Sequence, residues 1–368
     1  MNSETGTFSP DWASPPGDTI LDLMEERDWN QAELANRLGF SPKHLNQLIK
    51  SKVSLTYDAA QKLERVLGSS VSFWINREAK YRQQLARLEA QEKYAGWVNW
   101  LDQLPLPDLK KIGVIDNKRI TESSKPQLVE QLLAFFGVAS PDDWSNHYGA
   151  KQGAFRRTKE DQADVGAIAS WLRLGEIVAE TMPGPKYNRV KFERAVKDIR
   201  ELTVLPPQEF EPILKELCME AGVKFVLVES IKKAHVSGVA RWLNNHSPMI
   251  QLSLYGKSND KFWFTFFHEA AHILLHAEQK KTIFLDDTDF KQNSNEETEA
   301  NEWTRSILIP DNHIYDLCTL RDKDEIIEFS ELLNIHPGIV VGRLQHDGKL
   351  SYSSALNKIK SRFELIKQ

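Results

Sequence analysis

A histidine pair at helical spacing is the strongest chemical signal in this 368-residue sequence. Residues 264–276 read FTFFHEAAHILLH, so His268 and His272 are four positions apart. On a helix, that spacing puts both imidazoles on one face, where they can bind one divalent ion. Glu269 then lies beside the ion and can act as general base towards an attacking water. The apolar flanks predict a buried helix, and two buried histidines need a partner such as a metal.

A third ligand must come from another part of the chain, and three residues compete for the position. Residues 296–310, EETEANEWTRSILIP, predict a second helix that would deliver the carboxylate of Glu297. Glu299 would face away from the ion if Glu297 faces it. His276 continues the four-residue spacing but lies about 6 Å further along a straight helix. Glu297 is therefore favoured, and a purely structural zinc site is less expected because such sites usually recruit cysteines.

A second functional signal lies near the start of the chain, where residues 31–50 read QAELANRLGFSPKHLNQLIK. The pattern predicts two short helices, 31–38 and 42–50, joined by a tight turn at Gly39. Such a pair is a helix-turn-helix, whose second helix lies in the major groove of DNA. An apolar seam would join the two helices. Its members are Leu34, Ala35, Leu38, Leu45 and Leu48.

The outward face of this motif carries side chains that can reach phosphates and base edges. A plain helical bundle with a solvated polar face would also show lysines and glutamines. The tight turn and the small Ala35 at the helix crossing favour the DNA-binding interpretation. The candidate DNA contacts are Gln31, Ser41, Lys43, His44, Asn46, Gln47 and Lys50.

The rest of the sequence indicates which elements position these two motifs. After the linker MPGPKYN, two-residue periodicity predicts three strands, of which 237–243 is expected at a sheet edge, open to an extended substrate. The order of elements predicts a mainly α protein with an α+β domain. The predicted segments are a flexible arm (1–16), a helix-turn-helix bundle (17–82), a helical linker or gating region (83–182), a metal-binding α+β domain (189–310) and a helical C-terminal extension (311–368).

Composition excludes several other classes of protein. Hydrophobic residues make up 41% and charged residues 27% of the chain, which is typical of globular proteins. The formal net charge of −5 argues against a protein that coats nucleic acid non-specifically. Two distant cysteines, the lack of a signal peptide and the lack of a membrane-length apolar run predict a cytoplasmic protein without a membrane partner.

Both motifs resemble known families. Residues 31–50 resemble Xre/Cro helix-turn-helix domains, and among them the HigA-type antitoxins, which implies binding to operator DNA as a homodimer. HEAAHILLH together with ETEANEWTRSILIP resembles the ImmA/IrrE metallopeptidases, which implies a zincin-like fold and cleavage of Xre-type repressors. The site residues implied by that resemblance are the ligands His268, His272 and Glu297, the general base Glu269 and the ligand-steadying Asn301.

Together the resemblances imply a DNA-binding regulator of the antitoxin or phage-repressor type that carries a zinc-dependent endopeptidase domain. The expected partners are operator DNA, a protein substrate that is an Xre-type repressor or the chain itself, and a toxin. Manganese is an alternative to zinc, because two histidines and one glutamate do not exclude it. The alternative function is a non-catalytic repressor or antitoxin whose metallopeptidase-like domain is a sensor or binds a partner.

Overall fold

The structure is a computed structural model that describes residues 14–149, 164–253, 258–276, 284–286 and 295–363. Contacts divide the chain into two compact units. The first reaches residue 98 and includes 120–129, and the second comprises the remainder. The predicted arm falls outside the described residues as far as residue 13. The other predicted domain boundaries remain predictions.

The first unit begins with helices arranged around the predicted turn. These are α1 (Pro16–Glu25), α2 (Gln31–Leu38), α3 (Pro42–Ile49), α4 (Tyr57–Leu67) and α5 (Val71–Gly96). The side chains of Asn30 and Ser41 accept backbone N–H groups at the starts of α2 and α3. Gly39 ends α2 at a φ of 65°, a left-handed conformation that favours glycine because it has no Cβ. Local capping therefore produces the tight turn between α2 and α3.

The predicted seam is part of the hydrophobic core of this unit. A larger apolar cluster surrounds the seam and includes Ile20, Leu63 and Trp74, all fully buried. Replacing one such buried leucine by alanine typically costs roughly 2–5 kcal/mol, so the seam fixes how the two helices cross. The buried seam residues are the predicted ones, Leu34, Ala35, Leu38, Leu45 and Leu48.

The middle of the chain contains α6 (Leu106–Ile112), α7 (Lys125–Phe136), α8 (Pro141–Trp144) and α9 (Val165–Thr181). Trp100, Phe136 and Trp144 meet edge to face, with ring centroids 5.8–6.0 Å apart. Trp171 of α9 is fully buried and packs with Ile231 and Val239. Aromatic residues of the predicted linker region therefore belong to the core of the second unit.

The C-terminal region combines helices with a small sheet. Helices α10 (Arg189–Glu201) and α11 (Pro207–Glu220) precede β1 (Lys224–Leu227), β2 (Gly238–Asn244) and β3 (Ser247–Leu252), and β4 follows at Phe284–Asp286. The strand order in this sheet is β1-β3-β2-β4. β1 runs parallel to β3, whereas β2 runs antiparallel to both β3 and β4. The chain is mainly α with an α+β C-terminal domain, as predicted.

The prediction of an edge strand at residues 237–243 is wrong for residues 238–240, because β2 lies between β3 and β4 there. Val239 pairs with Gln251 of β3 on one side and with Leu285 of β4 on the other. β4 is only three residues long and is distant from β2 in the sequence. A strand this short shows no periodicity from which it could be predicted. Along residues 238–240, β2 therefore has no open edge for a substrate.

The remaining helices are the one that carries the predicted metal motif and those that follow it in the chain. They are α12 (Asn259–Leu275), α13 (Asn295–Leu308), α14 (Ile314–Thr319), α15 (Lys323–Leu333) and α16 (Pro337–His346). Trp263 and Phe266 of α12 are fully buried, and Val340 of α16 belongs to the same core. The motif therefore lies on a central helix that is covered by the sheet and by the C-terminal helices. None of the described helices is both long and apolar enough to span a membrane.

Candidate metal centre and nucleic-acid interface

Helices α12 and α13 bring the three predicted ligands together. The Nε2 atoms of His268 and His272 are 3.0 Å apart, which the four-residue helical spacing allows because it places both side chains on one face. The Glu297 carboxylate, from the first turn of α13, lies 3.1 Å from Nε2 of His268 and 3.4 Å from Nε2 of His272. All three residues are buried, and their ligand atoms lie within 4.8 Å of one another.

These three donors fit a divalent ion. Tetrahedral zinc sites hold nitrogen and oxygen ligands about 2.0–2.2 Å from the metal, which places the ligands roughly 3.3 Å from each other. The separations of 3.0, 3.1 and 3.4 Å match that requirement. The rival third ligands lie elsewhere and contact each other, with His276 Nε2 3.1 Å from the Glu299 carboxylate.

The pKa shifts of the cluster suit cation binding. Burial lowers the pKa of His272 to about 4, although its hydrogen bond to Glu297 acts in the opposite direction. Its imidazole is therefore neutral near pH 7, the form that binds metals. Burial raises the pKa of Glu297, but hydrogen bonds with His268 and His272 outweigh burial and bring that pKa down to about 2. The cluster therefore offers neutral nitrogen and an ionised carboxylate.

The predicted general base lies between α12 and the sheet. Glu269 is fully buried. A Cβ added at Gly238 of β2 would lie 2.9 Å from its Oε1 and 2.5 Å from Cγ2 of Thr265. The Glu269 carboxylate therefore lies directly against the strand backbone, in space that only glycine leaves open. The sequence analysis missed Gly238, although a glycine within a strand pattern is a known sign of close approach.

The predicted ligand-steadying residue lies on the helix that supplies the carboxylate. Asn301 follows Glu297 by one turn of α13 and is half-buried. Ala300 and Thr304 beside it are fully buried, so this stretch of α13 faces the core. The position suits an outer group near the ligands, and the role of Asn301 remains a prediction.

The predicted DNA contacts lie on the accessible face of α2 and α3. Ser41 caps α3 by accepting the N–H of His44 at 3.1 Å, so its oxygen already has a structural task. The His44 ring meets the edge of Phe40, with centroids 4.8 Å apart. Gln31, Ser41, Lys43 and Lys50 are exposed, and His44, Asn46 and Gln47 are half-buried.

Two classes of domain are thus defined by fold and geometry. One is a helix-turn-helix with a polar outer face. The other is an α+β domain in which an HExxH helix and a second helix together build a buried His-His-Glu cluster.

Comparisons with known proteins agree with both of these domain classes. Residues 20–74 match the family described as helix-turn-helix, and residues 218–360 match the family described as IrrE N-terminal-like domain, Peptidase_M78. A stretch of 61 residues is 34% identical to YddM, an uncharacterised HTH-type transcriptional regulator of Escherichia coli K12. That match covers 17% of this chain and spans 65% of the relative. The chain therefore contains an Xre-type helix-turn-helix domain and a peptidase-family domain of the ImmA/IrrE type.

Proposed function

We propose that this chain is a DNA-binding transcription regulator whose C-terminal domain is a metal-dependent endopeptidase. The observation that carries the proposal is the buried cluster of His268, His272 and Glu297. Glu269 follows the first ligand directly on the same helix, as the HExxH arrangement of a metallopeptidase requires. The helix-turn-helix domain supports a role at DNA for the same chain.

The three ligands would hold zinc, with manganese as the alternative. A bound divalent ion would polarise the scissile carbonyl and lower the pKa of the attacking water. Because His268, His272 and Glu297 lie on two packed helices, they need little rearrangement to present their lone pairs. The protein thus contributes a preformed and buried donor set.

Glu269 would accept the proton of the attacking water and later deliver it to the leaving amine. Its full burial keeps bulk water away from the carboxylate, which strengthens its electrostatic interaction with nearby charge. Gly238 leaves room for the carboxylate on the strand side, because a Cβ at this position would lie 2.9 Å from Oε1 of Glu269.

The DNA-binding half supports a regulator of the antitoxin or phage-repressor type. The exposed Lys43 and Lys50 would neutralise phosphates, while Asn46 and Gln47 would meet base edges. A homodimer would place two such helices on a palindromic operator. We propose an Xre-type repressor or the chain itself as substrate, a toxin as a further partner, and the cytoplasm as the location.

The proposal is tested with metal-free full-length chain loaded with Zn²⁺ or Mn²⁺. The loaded chain is incubated alone and with a proteome-derived peptide library, and new N-termini are identified by mass spectrometry. Glu269→Gln is the matched control, because it keeps the ligands and removes the base. We expect metal-dependent cleavage by the wild type, a loss of about 100- to 10,000-fold in the variant, and equal DNA binding by both.

Two outcomes would contradict the proposal. Identical cleavage products from wild type and Glu269→Gln would exclude this carboxylate as the base. Metal binding without any cleavage would favour the alternative function, in which the domain senses a signal or binds a partner.

A further inference from the structure

Two residues outside the ligand set are linked to the metal cluster through His272. Nδ1 of His272 lies 3.1 Å from Nδ1 of His276. Nε2 of His276 in turn lies 3.1 Å from the carboxylate of Glu299. The Nε2 atom of His272 is the nitrogen that faces His268 and Glu297. The imidazole of His272 therefore has one nitrogen for the ion and the other for His276.

The same two helices supply both the ligands and this outer pair. His276 follows the last residue of α12 and donates its backbone N–H to the carbonyl of His272 at 3.0 Å. It is buried, with 6% of its surface exposed. Glu299 lies two residues after Glu297 on α13, and its side chain is 61% exposed. The outer pair thus leads from a buried ligand to a carboxylate at the surface.

The positions of the protons follow from the need to bind a cation. A neutral imidazole has one N–H, and Nε2 of His272 must keep its lone pair for the ion. Its proton is therefore on Nδ1, which donates to Nδ1 of His276. That second imidazole must then carry its own proton on Nε2, which donates to the Glu299 carboxylate. In this series of hydrogen bonds, His272 donates to His276, and His276 donates to Glu299.

We propose that His276 and Glu299 are positioning residues that hold His272 in the tautomer and ring orientation that bind the metal. This inference rests on the proposed function, because it presumes that the cluster holds an ion. A hydrogen bond from the outer nitrogen of a ligating histidine fixes the ring and raises its basicity, and its loss typically weakens metal binding about 10- to 100-fold. His276 has both nitrogens directed to other partners, so it is not a fourth ligand.

The surface end of this hydrogen-bonded series, at Glu299, borders a cleft. Glu299, Trp303, Arg305 and Arg343 are among the residues that line this space of about 570 Å³. Solvent can therefore reach the carboxylate while the imidazole of His276 stays buried. A change at Glu299 alters the support of the site at low cost to packing, which makes this residue a clean probe.

The test measures zinc affinity of the metal-free full-length chain by competition with a chelating dye. His276→Phe keeps an aromatic ring at this position and removes both nitrogens. Glu299→Leu removes the carboxylate that accepts the hydrogen bond from His276. We expect each variant to bind zinc about 10- to 100-fold more weakly than the wild type. Glu299→Gln retains an amide oxygen that can accept the same hydrogen bond, so its loss is smaller. Glu302→Leu, an exposed position one turn along α13, is the matched control and keeps wild-type affinity.

A second readout separates positioning from a general loss of structure. Thermal unfolding of the metal-free variants shows whether the fold is intact, and the visible spectrum of the Co²⁺-loaded chain reports on ligand geometry. We expect an intact fold with an altered spectrum in Glu299→Leu and a spectrum close to wild type in Glu299→Gln. Wild-type zinc affinity in both His276→Phe and Glu299→Leu would overturn the positioning role. A wild-type chain that binds no zinc would instead overturn the metal site itself.

Discussion

The candidate metal centre and the candidate DNA-binding face are built in opposite ways. His268, His272 and Glu297 are buried and contact one another, so packing fixes them before any ion arrives. Lys43 and Lys50 are exposed. The helices that carry this face are held in place by the apolar seam and by the caps of α2 and α3. Changes in the buried set must therefore disturb several partners at once, whereas changes on the exposed face act almost independently.

The largest expected effect is in the buried set. His272→Ala removes a proposed ligand and also the partner of His268, Glu297 and His276. We expect zinc affinity to fall by more than the roughly 10- to 100-fold that is typical of outer residues. Competition with a chelating dye measures the loss, while fluorescence anisotropy should show unchanged DNA binding. Retention of wild-type zinc affinity would remove the contrast between the two regions.

On the exposed face, the largest effect should come from base-reading side chains. Replacing Asn46 or Gln47 by alanine should change which sequence is preferred, by about 1–3 kcal/mol at one base pair. Selection from random DNA, carried out in parallel with wild type and variants, measures the preference. Identical selected sequences for all three proteins would show that neither side chain reads a base.

A smaller effect is expected from phosphate contacts. Lys43→Ala combined with Lys50→Ala should weaken binding to all sequences alike and reduce the salt dependence by about one unit of slope per lysine. Affinity for a selected DNA fragment at several salt concentrations measures that slope. Lys80→Ala on α5 is the control, because this lysine is also exposed but lies outside α2 and α3. Equal slopes in the double variant and the control would exclude these contacts.

The smallest effect should come from a helix cap. Ser41→Ala removes the acceptor of the His44 N–H and should lower the free energy of unfolding by about 1 kcal/mol. Ser41→Asn, which can cap as well, should restore it. Urea unfolding of the full chain, with the unfolding of the first unit as the readout, measures the free energy of unfolding of both variants. If Ser41→Ala is as stable as the wild type, this cap contributes nothing measurable.

Local signals made the first unit predictable. The caps at Asn30 and Ser41, the glycine at the turn and the spacing of the seam depend on neighbouring residues, so the sequence reveals them directly. The pairing of His268 with His272 is local in the same sense, because it follows from helix geometry alone. Both features appear in the structure as expected.

Long-range packing limited the remaining predictions. The choice between Glu297 and Glu299 depends on how α13 meets α12, which residue spacing alone does not decide. The structure places Glu297 in the cluster and pairs Glu299 with His276. The position of β2 between β3 and β4 arises from strand pairing with a segment distant in sequence. The approach of Gly238 to Glu269 arises from the packing of α12 on the sheet. These are tertiary effects that periodicity does not encode.

The most direct test of the central claim is the number of zinc ions bound per chain. Metal-free wild-type chain is titrated with Zn²⁺ in a calorimeter, alongside a His268→Ala variant. The structure predicts one tight site per chain, built by His268, His272 and Glu297 and lost in the variant. A wild-type chain that binds no zinc, or a variant that binds it equally well, would contradict the account.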